Sequence, residues 1–401
     1  MAKVAWYVAS LEQKGGGERF VLEAARALRL EGHTITIICD RFAPGNTFSD
    51  LVEQTRIVPL EASEHFHQGY LRRLSGKAFA IARLYRALRQ IDADLVFCQS
   101  EFDAIRLAIV AVFLRFPLRV FVFGQMYQFA SDNTKYARVF RRHLRRIRDS
   151  RPGYAQTVFD PPPRLSLVVS LANEVVSVLK LWALRRAERI FTLSAQVQWE
   201  VSLVYSRPAE VLRAAFRESF IDRERLSRAA APAAPRVFLS VCRLVAKKRV
   251  DLIIRAFAAA GCPGQLRIVG SGQDMHALQA LAGSLPVSDR IVFMGSVEDE
   301  ELLIELARAD CFVSMDIGDF DITVLEAMAK GVPVIVAADF DVSSFPEGTT
   351  GITVVDPQVP ALAAVLGKAQ ELPRPGPQNL TLLHGMTWEN LARRCMDAVR
   401  E

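Results

Sequence analysis

Three stretches of the chain combine residue types and spacings suited to holding a phosphate-linked molecule. Near the start, Gln13-Lys14-Gly15-Gly16-Gly17-Glu18-Arg19 precedes a helical pattern of Phe20, Leu22, Ala24, Ala25 and Leu28. Gly15, Gly16 and Gly17 let backbone approach a ligand closely, and the helix N-terminus behind them offers N–H donors suited to phosphate; a flexible turn is the plainer use. Ser240 to Arg249 reads Ser-Val-Cys-Arg-Leu-Val-Ala-Lys-Lys-Arg and places four cations, from Arg243 to Arg249, within seven residues. A helix dipole disfavours cations at its N-terminus, so Arg243 and Lys248 make local sense there if an anion sits between them, against solvated surface charge as the alternative. The third stretch, Asp316 to Val334, carries Asp316, Asp319, Phe320 and Asp321 in an acidic loop, then Ile322, Thr323 and Glu326 on a short helix closed by Gly331 and Pro333. A glutamate among Leu325, Ala327 and Met328 is expected to be partly buried and to need a partner such as a pair of sugar hydroxyls.

A fourth feature, Val269-Gly270-Ser271-Gly272, imitates a dinucleotide fingerprint, but Met275 stands where the third glycine belongs. An NAD enzyme is therefore disfavoured. Gly270 and Gly272 instead suit a tight turn passing beneath a nucleotide.

The elements that must position these residues follow from apolar runs. Val4 to Val8, Thr34 to Ile38, Leu95 to Cys98, Leu118 to Phe123 and Arg189 to Thr192 are short, β-rich and separated by helix-length segments. After an Ala- and Pro-rich stretch, Arg228 to Pro235, a second series begins: Val237 to Val241, Leu266 to Val269, Ile291 to Phe293, Cys311 to Ser314 and Val334 to Val336. Helical patterns lie around 250 to 260, 273 to 284, 298 to 308 and 323 to 330. Alternation of this kind predicts an α/β fold with two Rossmann-like parallel-sheet domains. Ligands of open parallel sheets sit at the carboxyl ends of the strands, so two such domains are expected to face a cleft. The expected boundaries are 1–215, with a basic insertion at 125–165; 216–385; and a last helix at 386–401 returning to the first domain.

The chain has 401 residues, 51% hydrophobic and 23% charged, which excludes disorder, coiled coil and collagen and suits two domains. Its net charge of +6 is unevenly spread: residues 1 to 215 hold 31 Lys/Arg against 20 Asp/Glu, and the remainder 19 against 24. An anionic partner is thus expected for the first half only. Six scattered cysteines without a Cys-x-x-Cys pair read as small core residues in a reducing compartment. Met-Ala-Lys followed by Val4 to Val8 lacks the long apolar run of a signal peptide. Charges interrupt both apolar stretches, Leu107 to Phe123 and Leu165 to Leu184, so neither is expected to span a membrane.

Lys135 to Arg151 contains eight basic residues and one acid, with Tyr136, Phe140, Leu144 and Ile147 at helical spacing. This pattern predicts a basic amphipathic helix in which Arg138, Arg141, Arg142, Arg145 and Arg146 meet anionic lipid headgroups. A solvated helix is the alternative, and no nucleic-acid module accompanies the charges, so nucleic acid is not expected as a partner. With Arg72, Arg73, Lys77 and the apolar run after Pro161-Pro162-Pro163, the expectation is a cytoplasmic protein peripherally associated with the inner face of the membrane.

Taken jointly, these motifs resemble the retaining glycosyltransferases of the GT-B fold, specifically glycosyltransferase family 4. The likeness rests on the Gly-Gly-Gly-Glu-Arg turn, the Arg-x4-Lys spacing of Arg243 and Lys248, Val-Gly-x-Gly, Phe293 to Gly295, Ala309-Asp310-Cys311-Phe312-Val313-Ser314, Leu325-Glu326-Ala327-Met328-Ala329 with Gly331 and Pro333, and the terminal Thr387-Trp388-Glu389. It implies a hexosyltransferase taking a UDP- or GDP-sugar without metal or other cofactor and acting on a lipid-linked or polysaccharide acceptor in cell-envelope glycan synthesis. Arg243 and Lys248 would bind the donor diphosphate and Glu326 the ribose hydroxyls. Gly15 to Gly17, Gly270, Gly272 and Asp319 to Thr323 would line the donor. The sequence departs from the family's Glu-x7-Glu pattern, because Gly318 stands at the first glutamate and Asp321 at the following glycine. Either Asp316, Asp319 or Asp321 takes over the contact, or the donor sugar is unusual, or the protein binds a nucleotide sugar or scaffolds an active transferase without catalysis. Asp319-Phe320-Asp321 also imitates an Asp-x-Asp metal motif, but its strand-loop-helix setting is wrong for one.

Overall fold

The computed structural model describes residues 1–60, 70–123, 143, 146, 167–213, 215–227, 237–317 and 321–397. The chain divides into two compact units, Met1–Ala214 with Trp388–Glu401, and Ala215–Thr387.

The first unit is built on seven parallel strands in the order β3-β2-β1-β4-β5-β6-β7. These are β1 (Lys3–Leu11), β2 (Thr34–Phe42), β3 (Arg56–Pro59), β4 (Leu95–Cys98), β5 (Leu118–Val122), β6 (Arg189–Thr192) and β7 (Glu210–Val211). Among the described residues its helices are α1 (Gly16–Leu30), α2 (Ser49–Glu53), α3 (Tyr70–Ile91), α4 (Glu101–Leu114), α5 (Leu167–Arg186) and α6 (Ala195–Tyr205). The chain moves outward from β1 to β3, then from β4 to β7 in the other direction. Right-handed crossovers put α1 on one face of the sheet and α4, α5 and α6 on the other. Side-chain hydroxyls start two of these helices: Ser100 accepts from the Asp103 N–H at 3.1 Å, and Ser194 from that of Val197 at 3.2 Å.

An aromatic stack fills this unit. Trp6 lies 4.9 Å from Phe97 and 5.4 Å from Phe121 between ring centroids, and Phe20 stands edge-on to Trp388 at 5.4 Å. Trp388 belongs to the last helix of the chain, which packs on α1. The fully buried Arg119 also donates to the Cys395 carbonyl of that helix and, at 3.1 Å, to Glu188. A buried guanidinium with such partners and an interleaved tryptophan explain why residues 388–401 fold with the first unit.

The second unit holds six parallel strands in the order β10-β9-β8-β11-β12-β13. They are β8 (Val237–Val241), β9 (Gln265–Val269), β10 (Ile291–Gly295), β11 (Cys311–Ser314), β12 (Val334–Ala337) and β13 (Ile352–Val355). Its helices are α7 (Arg223–Ser227), α8 (Val250–Ala260), α9 (Met275–Gly283), α10 (Asp299–Arg308), α11 (Ile322–Ala329), α12 (Val359–Leu366) and α13 (Gln378–His384); the closing helix of the first unit is α14 (Trp388–Met396). One face of the sheet packs Phe238, Ile254, Phe257 and Leu362, and the other packs Leu239, Phe312, Leu325 and Val334. Both faces being covered, the inner strands β8, β11 and β12 are apolar but for a serine in β8 and in β11.

All six cysteines are free thiols; five are buried, and Cys242 is partly so. No helix among the described residues is long and apolar enough to cross a membrane.

Candidate functional site

The cationic segment of the second unit leaves the carboxyl end of β8 and is fixed by the turn after β9. Cys242 donates its N–H to the Val269 carbonyl at 3.0 Å, Leu244 to that of Ser271 at 2.9 Å, and Asp274 back to that of Leu244 at 3.1 Å. The two loops are thus zipped together beyond the ends of their strands. Gly270, at φ +128°, and Gly272 make this possible: a Cβ would stand 1.9 Å from the Cys242 carbonyl oxygen at the first and 2.3 Å from that of Leu244 at the second. The sequence reads this pair as a turn beneath a nucleotide, whereas the space their missing side chains leave is filled by the protein's own backbone. They position the cations.

Those cations divide into two sets. Arg243 and Lys247 are exposed, and neither has an ion pair among the described residues. Lys248 and Arg249 turn inward. The Lys248 ammonium lies 2.5 Å from Asp316 and 4.0 Å from Asp321. Burial alone would lower the lysine's pKa, but Asp316 and then Asp321 outweigh it, and the net shift is upward. Arg249 forms a two-pronged pair with Asp339, one prong at 3.0 Å. That pair holds Arg249 at φ 50°, an unfavourable backbone setting for a non-glycine residue. Lys248, expected to bind a diphosphate, is paired with Asp316, because a cation so deeply placed needs an internal partner.

The helix after β11 begins at Asp321, which is buried and accepts from the Thr323 N–H at 3.1 Å, the Thr323 hydroxyl at 2.6 Å and the Ser314 hydroxyl at 3.1 Å. A carboxylate at this point satisfies an orphan N–H and meets the positive end of the helix dipole. Thr323 also donates to the Val241 carbonyl at 3.1 Å, which ties α11 to the end of β8. Asp321 and Thr323, expected to line a donor, are engaged in this local network. Ile322 is buried, and Glu326 is wholly so rather than partly. Asp316 is 3% exposed, and its Oδ1 has no hydrogen-bond partner among the described residues. Gly318, Asp319 and Phe320 lie outside the described residues. Burial pushes the neighbouring Cys242 thiol up to about 12, so it stays protonated at neutral pH.

In the first unit the glycine turn follows β1 and opens α1, with Gly15 as its N-cap. Gln99, just past β4, donates to the Gly17 carbonyl at 2.8 Å. The turn therefore sits where the strand order reverses between β1 and β4, the crevice at which open α/β sheets take ligands. A Cβ on Gly16 would meet nothing within 4 Å.

A cluster that the sequence does not single out occupies the neighbouring strand ends. Tyr7 of β1 donates to Asp40 of β2 at 3.0 Å, and Arg106 of α4 donates to both. Asp103, one turn earlier on α4, is buried; burial, which Asp40 and Glu101 reinforce, pushes its carboxyl up to about 6 despite the opposing effects of Ser100 and Arg106. Tyr7 and Asp40 stand 33 residues apart and meet only through the β1–β2 register, so no local signal marks them. Of the arginines expected at a membrane, Arg146 is exposed. Arg138, Arg141, Arg142 and Arg145 lie outside the described residues.

Comparison with known proteins bears on both units. Residues 222–379 match the family described as glycosyl transferases group 1, and residues 14–155 match glycosyltransferase family 4. A GDP-mannose-dependent monoacylated alpha-(1-6)-phosphatidylinositol monomannoside mannosyltransferase of Corynebacterium glutamicum is 34% identical over 135 residues, 31% of this chain and 35% of that protein. The match thus spans about a third of that relative's length. Among solved structures, Anabaena Alr3699/HepE in complex with UDP-glucose superposes with a TM-score of 0.66 at 17% identity, over 100% of this chain and 97% of that one. The apo form of the lipopolysaccharide outer core galactosyltransferase WaaB gives 0.64 at 12% identity, over 99% of each chain. With both sheets parallel and Rossmann-like and the two family matches together covering most of its length, the chain belongs to the glycosyltransferases of family 4, group 1, with the GT-B fold.

Proposed function

We propose that this glycosyltransferase moves a hexose, with retention, from a UDP- or GDP-sugar to a lipid-linked or polysaccharide acceptor in cell-envelope glycan synthesis, on the cytoplasmic side of the membrane. The observation that carries the reading is Arg243: an exposed guanidinium at the carboxyl end of β8, without an ion pair among the described residues, on a loop locked by Gly270 and Gly272. In the reaction the acceptor hydroxyl bonds to the anomeric carbon as the bond to the diphosphate breaks, and its proton passes to a diphosphate oxygen on the same face. Negative charge grows on the leaving oxygen, and a preorganised guanidinium stabilises it. Lys248 supports this indirectly, since its pairs with Asp316 and Asp321 tie the cationic loop to the start of α11.

Calorimetric titration with UDP-, GDP- and ADP-sugars, followed by transfer or hydrolysis assays with the binder, tests the proposal. Arg243→Ala should lower turnover about a hundredfold, ~3 kcal/mol of transition-state stabilisation. If no nucleotide sugar binds, the reading is wrong. A second reading, a non-catalytic protein that binds a nucleotide sugar or scaffolds an active transferase, draws on Gly318 at the place of the family's first glutamate. Binding that depends on Arg243, with no turnover of any donor, would favour it.

A further inference from the structure

Helix α5 buries Ala183 and Leu184 near its end but carries further apolar residues on its outer side. It buries Ser177, at 0% exposure, and Lys180, at 2%, yet leaves Leu171, Val175 and Val178 58–60% exposed. Those three positions, spaced four and three apart, form one stripe along the helix. Lys180 lies over the ring of Phe102 on α4, 3.8 Å from its centroid, so the side of the helix that faces the protein is mixed, with Ser177 and Lys180 beside Ala183 and Leu184. The stripe is part of a wider surface. Helix α4 packs against both α3 and α5; Phe79 of α3 and Phe113 of α4 are more than half exposed, and Phe102 of α4 is 48% exposed. Of the thirteen large apolar side chains exposed among the described residues, eight belong to α3, α4, α5 and α6, which form the layer over one face of the first sheet. Scattered apolar residues need no explanation, but such a concentration marks a contact surface.

Charge selects the partner. Arg86 and Arg89 of α3, Arg115 at the end of α4, and Arg185 and Arg186 of α5 are exposed, and none has an ion pair among the described residues. The acids of the same helices, Glu101, Asp103 and Glu174, are buried or half-buried. The three helices all run antiparallel to the strands and end at the amino edge of the sheet, which gathers these arginines along one border of the apolar area. Cations at helix C-termini suit the dipole, but the dipole gives no reason for the apolar stripe. A second copy of the chain could cover the stripe but offers the bordering arginines little anionic surface from these helices, whose acids are buried or half-buried. A nucleic acid would use the charges and leave the leucine and valines wet.

We infer that the α3–α4–α5 layer is a docking face for an anionic lipid surface, with Leu171, Val175, Val178 and the exposed phenylalanines entering the headgroup boundary and the bordering arginines meeting lipid phosphates. The face belongs to the first unit alone and stands whether or not a nucleotide sugar binds the second.

The test is co-sedimentation of the full chain with phosphatidylcholine vesicles with and without phosphatidylglycerol, at low and high salt. Binding is expected only with phosphatidylglycerol. The double variant Val175→Asp/Val178→Asp should bind at least about tenfold more weakly, because each aspartate takes an apolar contact out of the interface and repels the lipid. Arg185→Glu/Arg186→Glu should weaken binding mainly at low salt. Both pairs are exposed, so the unfolding midpoint should not move. Three results overturn the inference: no binding by the wild type, wild-type binding retained by the Val175/Val178 variant, or a change of oligomeric state in that variant without a change in vesicle binding. Titration of the same samples with UDP and with GDP separates this face from the donor reading: lost vesicle binding with intact nucleotide binding supports the face, and absence of binding to both nucleotides with intact vesicle binding removes the donor reading alone.

Discussion

Both units place a glycine-rich turn at the carboxyl end of an interior strand, and the two turns use glycine for opposite reasons. After β9, Gly270 and Gly272 are pressed against the backbone of residues 242–244, and the cations beyond are anchored by Asp316, Asp321 and Asp339. After β1, Gly16 faces open space. One turn is a closed structural joint that fixes a cationic loop; the other leaves backbone accessible. Residue type alone does not distinguish them, because the difference lies in what the neighbouring loop does.

The largest effect that could break this contrast is at the closed turn. Gly270→Ala forces a side chain into φ +128° and sets its Cβ 1.9 Å from a carbonyl oxygen that cannot move without parting the two loops. A loss of about 4 kcal/mol of unfolding free energy is expected, from backbone strain and overpacking together. Urea denaturation measures it, and a loss below ~1 kcal/mol would show that the joint is slack.

Next comes the ion pair that closes the same region. Asp316→Ala leaves Lys248 with only the more distant Asp321, 4.0 Å away, and should cost about 3 kcal/mol, since breaking a buried pair strands a charge. Lys248→Met in the same background should recover much of that loss. If the single variant is as stable as the wild type, Lys248 has reached solvent or another anion and belongs with Arg243 as an accessible cation.

How much of this was readable beforehand depends on burial. The ten strands expected from apolar runs are all present, and the three strands lacking such runs, β3, β7 and β13, are each at a sheet edge. An edge strand is paired on one side only and is less enclosed, which lets Arg56–Pro59, Glu210–Val211 and Ile352–Val355 do without a continuous apolar run, although the fourth edge strand, β10, keeps one. At the site, the local sequence places Arg243 and Lys248 on one loop and marks the helix bearing Glu326. It does not show that Lys248 meets Asp316, 68 residues away, or that Asp321 caps α11. The Lys248–Asp316 pairing depends on the β8–β11 neighbour relation, which is a property of the sheet order, whereas the Asp321 cap spans only two residues.

The first unit offers a smaller, pH-dependent test. Asp103 is pushed up to about 6 by burial, so its charged form destabilises the folded state. A carboxyl with a raised folded pKa contributes stability at low pH that is lost as pH rises toward the folded value. Relative to Asp103→Asn, the wild type should therefore lose about 2 kcal/mol between roughly pH 4 and pH 7. Unfolding free energies of the two proteins across that range check the sign; parallel curves would mean that Arg106 or water holds the carboxylate as well as it is held in the unfolded chain.

The smallest effect is the sharpest for function. Gly16 is the first residue of α1, has an ordinary backbone setting, and could accept a methyl group without meeting any atom within 4 Å. Gly16→Ala should thus raise stability by about 0.5–1 kcal/mol, because alanine loses less conformational freedom on joining a helix. A turn that serves only to connect β1 to α1 would take this gain at no cost elsewhere. If a donor phosphate or an acceptor lies against the Gly16 backbone, the methyl group occupies that space, and a more stable protein should bind its ligand more weakly. Thermal unfolding and calorimetric titration on the same variant separate the two cases, and increased stability with unchanged affinity would make the open turn as purely structural as the closed one.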